Sequence, residues 1–145
     1  MPSLNNAADR ASLIARLEKL APDMQPRWGR MSAPKMLAHI TDAFRMALGD
    51  LPVKPKKIPL VGSFPVKQLV IHVLPFPKNS PTAPEIISRE PEAFDVERSN
   101  AKALIARLAG NVTYATHPIF GSLTKSEWGA LGYKHFDHHL RQFGV

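Results

Sequence analysis

The sequence predicts an all-α fold: a four-helix bundle with a long proline-rich connection between the second and third long helices. Three observations carry that expectation. Apolar residues recur at helical spacing in four separate stretches. Helix-start and helix-stop residues bracket those stretches. Eight of the fourteen prolines lie between Leu51 and Pro84, where they forbid long regular structure.

Ser3 is placed to cap a first helix running to about Leu20, with Leu13, Ile14, Leu17 and Leu20 on one side and Ala21-Pro22-Asp23 ending it. Ser32-Ala33-Pro34 puts a capping serine before a proline in the first turn, so a second helix should span Ala33 to Leu48. Met36, Leu37, Ile40, Ala43, Phe44 and Ala47 would face inward, and Gly49 would stop it. Within the proline-rich stretch, Leu69-Val70-Ile71-His72-Val73-Leu74 is β-branched enough for a strand. A lone strand has no partner in a helical chain, so a short buried helix from about Val66 to Leu74 is expected instead. Pro91 should open a helix to Ala109, with Phe94, Ala101, Leu104, Ile105 and Leu108 on its apolar side. Thr124-Lys125-Ser126-Glu127 is a capping box for a last helix reaching about Phe143.

At 145 residues and 44% hydrophobic, the chain suits one domain spanning residues 1–145. It has no cysteine, which excludes disulfides, thiol nucleophiles and cysteine-ligated zinc. No apolar run approaches the roughly 18 residues of a membrane span, and the N-terminus lacks a signal-peptide pattern. A cytoplasmic protein with no membrane partner is therefore expected. The net charge is +7, and no acidic residue falls between Asp50 and Glu85, whereas Lys54, Lys56, Lys57, Lys67 and Lys78 do. These lysines lie among prolines rather than along a helix face, and no nucleic-acid-binding signature accompanies them. A solvated basic loop is the first reading, the rim of an anionic-ligand site the second, and a nucleic-acid surface the third. A homodimer through an exposed helix face is compatible with a bundle of this size.

The chemistry concentrates in Tyr133-Lys134-His135-Phe136-Asp137-His138-His139-Leu140, which holds half of the six histidines. On an ideal helix His139 lies about 40° from His135, on the edge of an apolar arc centred about 80° away, while His138 falls at about −60°, toward the surface. Two imidazoles four residues apart can share one metal ion if a third ligand arrives from elsewhere. His39, in the second helix, is the candidate, with His138 a weaker ligand or a supporting group. Asp42, three residues on, either orients that imidazole or is surface charge. His72 reads as structural, and His117, before Pro118, as a turn anchor. The pair is not an H-E-x-x-H motif, and no nucleophile elbow, phosphate loop or dinucleotide fingerprint occurs.

Several stretches resemble the DinB/YfiT-like superfamily of metalloenzymes, in a branch whose members are mostly uncharacterised. They are Trp28-Gly29-Arg30-Met31-Ser32 leading into Met36-Leu37-Ala38-His39, Pro75-Phe76-Pro77-Lys78-Asn79, His117-Pro118-Ile119-Phe120-Gly121, and Tyr133-Lys134-His135 through Phe143-Gly144. The closing Asp137-His138-His139-Leu140-Arg141-Gln142-Phe143-Gly144 is the most specific. The resemblance implies a DinB-like four-helix bundle with a divalent metal, nickel or zinc being typical, held by His39, His135 and His139. It further implies a metal-dependent hydrolase or an S-transferase using a low-molecular-weight thiol; a non-catalytic metal- or ligand-binding bundle is the alternative. Lys78, Arg30 and Arg89 are candidates to clamp an anionic group of the substrate.

Overall fold

A computed structural model describes all 145 residues. It is all-helical, with five α-helices and no strand: α1 (Ala7–Leu17), α2 (Ala33–Ala47), α3 (Val66–His72), α4 (Phe94–Ala109) and α5 (Lys125–Gln142). A single 3-10 turn, Pro84–Ile86, lies between α3 and α4. No helix is long and apolar enough to cross a membrane.

The four long helices close a ring of contacts, α1 with α4 and α5, and α2 with α4 and α5. Their apolar sides meet in one core that includes Leu13, Leu17, Leu37, Ile40, Ile105, Phe136 and Leu140. α2 lies deepest. Its run Met36 to Phe44 is buried without a break, including the polar His39, Thr41 and Asp42. α3 rests on the outside of α5, with Ile71 alone reaching the core.

Local chemistry sets the ends. Ser32 caps α2 through its hydroxyl to Lys35 N, and Gly49 leaves the helix at φ +80°, where a side chain would be strained. The Thr124–Glu127 capping box opens α5 with both reciprocal hydrogen bonds present.

Some boundaries differ from expectation. Asn6 rather than Ser3 caps α1, accepting from Ala8 N and Asp9 N. Ser3-Leu4-Asn5 instead crosses α5, with Leu4 N donating to Gly129 O and Asn5 Nδ2 to Lys125 O. α1 ends at Leu17, and tight turns carry the chain to a buried Leu20. α4 starts at Phe94 rather than Pro91, with Glu92 N ahead of it donating to the Glu97 carboxylate. α3 ends at His72 rather than Leu74, and within it only Ile71 is buried; Leu69, and Val73 and Leu74 beyond its end, are exposed, since only one face of so short a helix meets α5.

Candidate metal centre

His39 from α2 and His135 and His139 from α5 meet where those two helices cross. The Nε2 atom of His135 lies 3.0 Å from His39 Nε2 and 3.2 Å from His139 Nε2. One ligand-type nitrogen from each ring falls within 4.8 Å of the others, close enough to hold one metal ion.

The opposite ring edges are tied back. His39 Nδ1 donates to the Ile86 carbonyl at 2.8 Å. Gln142 Nε2 donates to Trp28 O at 2.8 Å, which turns its Oε1 toward His139 Nδ1, also at 2.8 Å. With the protons of His39 and His139 placed on Nδ1, both Nε2 atoms present lone pairs to the shared point. Burial lowers the pKa of all three rings: His139 to about 3, His135 well below its usual value, and His39 in the same direction against the opposing pull of Ile86 O and Asp42. The cluster is neutral at physiological pH. Without a shared ion, the one proton that His135 Nε2 can carry satisfies at most one of two facing lone pairs well. The donor set therefore fits a cation at its centre.

The three histidines open onto a cavity of ≈ 1190 Å³. All four stretches that carry the resemblance contribute to its wall: Trp28 through Met31 with His39, Phe76 with Pro77, His117 through Phe120, and α5. Phe76 stacks on His135, ring centroids 5.0 Å apart and planes 6° apart. His138 is half-buried between Trp28 and Phe76, at 5.4 and 5.2 Å, rather than turned to solvent. The helical angle alone misplaced it, because loops cover that face of α5.

Asp42 neither touches His39 nor lies at the surface. It is 3% exposed and paired with Arg89 at 3.0 Å and Arg45 at 2.9 Å. Arg89 also binds Glu97, which is fully buried, at 2.6 Å, and so is a structural clamp rather than a free anion site. Lys78 sits over the Trp28 ring at 4.5 Å, and Arg30 lines the cavity. His117 anchors its turn as expected, its Nδ1 accepting from Ile119 N and Phe120 N. His72 Nδ1 faces Met1 Sδ at 3.3 Å, away from the cluster.

The residues that sequence reasoning missed are those that orient the rings. Gln142, three residues after His139, had a detectable helical spacing. The Ile86 and Trp28 carbonyls had no sequence signal, because any residue offers a carbonyl.

A family model for proteins of unknown function, DUF1569, matches residues 3–144. The chain belongs to the DUF1569 family. No curated protein and no solved structure matches it. Because the DUF1569 match spans nearly the whole chain, both helices that carry the histidines and all the cavity loops lie inside the family's domain.

Proposed function

We propose that this DUF1569 protein is a DinB/YfiT-like metalloprotein with a four-helix-bundle architecture, in which His39, His135 and His139 hold one divalent ion, nickel or zinc. The reading includes action on a small molecule bound in the adjoining cavity, as a metal-dependent hydrolase or a thiol-dependent S-transferase in the cytoplasm. The observation that carries it is the convergence of three Nε2 atoms whose ring partners, Ile86 O and Gln142 Oε1, point the lone pairs inward.

Three neutral imidazoles leave an ion's charge undiminished and leave coordination positions free, the pattern of an open rather than a closed structural site. The chemistry such an ion supplies when bound is Lewis acidity, favouring the deprotonated form of a water or a substrate thiol. The chain's own contribution is positional. Ile86 and Gln142 fix the imidazole planes, Phe76 covers one face of His135, and Trp28, Phe120 and Trp128 give the cavity an aromatic wall.

A binding role without catalysis is the second reading. It is favoured by the absence of a free carboxylate beside the histidines, since Glu85 is the one carboxylate on the cavity wall and it accepts from Lys54 N. Purification without added metal, followed by elemental analysis for nickel and zinc, tests the metal site. Near-stoichiometric metal in the wild type and its loss in His39→Ala and His139→Ala is expected. Unchanged metal content in both variants would overturn the proposal. Screening with low-molecular-weight thiols plus electrophiles, and with simple esters and amides, separates the catalytic from the binding reading.

A further inference from the structure

Charge on the cavity wall is one-sided. Five cationic side chains line it, Arg30, Lys35, Lys54, Lys56 and Lys134, against the single carboxylate of Glu85. Two of the five are already engaged, and a third stands beside the lone carboxylate. Lys134 donates to the carbonyls of Val70, Ile71 and Leu74 at the end of α3. Lys35 donates to Arg89 O at 2.7 Å and pairs with Glu90 at 3.6 Å. Lys54 lies beside Glu85, whose carboxyl is held below its usual pKa by its own and the Lys54 backbone N–H, with a smaller contribution from the Lys54 charge.

Arg30 and Lys56 remain. Neither head group has a protein hydrogen bond or ion pair, and the Lys56 backbone is pinned by its N–H to Pro118 O at 2.9 Å. The cavity wall also holds two buried donors without acceptors, the indole N–H groups of Trp28 and Trp128. Unpaired cations on an apolar, aromatic wall lack an anionic partner.

We propose that the cavity takes a small organic anion with an apolar body. Its carboxylate or phosphate group is held at the wall by Arg30 and Lys56, and its body rests on Phe76, Phe120 and Trp128. This names the substrate class for the site proposed above, and rests on that reading only in taking the cavity as the substrate's place. The chemistry follows from the wall: cations exposed to water give modest, salt-sensitive attraction, and aromatic faces supply the affinity that charge alone does not.

The test uses three probes that share one body: phenylbutyrate, its uncharged amide and phenylbutylamine. Trp28 and Trp128 are the chain's only tryptophans and both line the cavity, so quenching of intrinsic fluorescence reports occupancy. The acid should bind about tenfold more tightly than the amide or the amine. The Arg30→Ala/Lys56→Ala double variant should lose that preference while its affinity for the amide stays the same. Equal binding of the three probes, or a preference that survives in the double variant, would overturn the proposal. Repeating the titration after chelation separates the two readings. A preference that survives chelation supports the Arg30–Lys56 assignment whether or not metal was present. One abolished by chelation but untouched by the double variant places the anion at the histidines, which refutes this assignment and favours the metal site.

Discussion

Gln142 receives the Nδ1 proton of His139 at 2.8 Å while giving its own amide hydrogen to the Trp28 carbonyl at 2.8 Å. One side chain thus fixes an imidazole and joins it to the loop that precedes α2. Replacement by leucine keeps much of the volume but removes the acceptor, so His139 is free to rotate and to change tautomer. Loss of such an orienting partner typically costs 10–100-fold in metal affinity. Gln142→Leu should show that loss in competition with a chromophoric chelator, with its helical circular dichroism unchanged. Gln142→Glu, which retains an acceptor, should lose less. Gly29 gives an independent check, because a Cβ there would lie 2.9 Å from Gln142 Nε2 and its φ of +76° already disfavours a side chain. Gly29→Ala should therefore weaken metal binding in the same direction, although it touches no histidine.

His117 makes a separate prediction in acid. Burial lowers its pKa to about 4, from the 6.5 of an exposed imidazole, and its Nδ1 must stay unprotonated to accept from Ile119 and Phe120. A folded-state pKa below the unfolded value means that the unfolded chain takes up the proton first. The contribution is complete above pH 6.5 and is lost as pH falls from 6.5 toward 4, by at most about 3 kcal/mol. Urea denaturation of chelator-treated protein across that range should show falling stability. His117→Asn, which offers an acceptor but no titrating group, should show a shallower fall than the wild type. An identical slope would assign the acid sensitivity to other groups.

The pair His135 and His139 was legible because helical geometry is local: four residues apart on an amphipathic stretch puts two rings on one face. The same rule failed for His138. Its surroundings are Trp28 and Phe76, more than sixty residues away in sequence, and no helical angle reports a covering loop. His39 could be nominated as the third ligand from its helical segment, and the resemblance named the same residue, but nothing in the α2 pattern says which helix lies opposite. The helices themselves were legible from spacing and caps, and the errors gathered where capping was ambiguous, at Ser3 and Pro91. Asp42 was read as an orienting group or surface charge because its partner, Arg89, comes from the proline-rich connection, whose path is set by tertiary contacts.

That partner carries the last prediction. The Arg89 guanidinium donates to Asp42 at 3.0 Å, to Glu97 at 2.6 and 3.2 Å and to Thr41 Oγ1 at 3.0 Å. Glu97 is fully buried, and although burial raises its pKa, hydrogen bonds led by Arg89 outweigh that and keep it ionised. Removing the cation would strand the buried Glu97 carboxylate and leave Asp42 with Arg45 alone, and breaking a buried pair by deleting one partner costs about 3–5 kcal/mol. Arg89→Met should therefore lower unfolding free energy by about that amount at pH 7. Glu97→Gln added to Arg89→Met should restore part of it, because the stranded charge is gone. The effect should also reach the metal centre, since Arg89 lies three residues after Ile86, whose carbonyl holds His39. With the Arg89 side chain removed, the 84–86 turn keeps its Ile86 packing on α2 and the Lys35 bond to the residue 89 carbonyl but loses its ion-pair tie to α2 and α4, which loosens the partner of His39. Metal affinity should fall in Arg89→Met even under conditions where the variant remains folded, and should stay depressed when Glu97→Gln restores stability. Recovery of metal affinity together with stability would instead make Arg89 a structural clamp with no role in orienting His39.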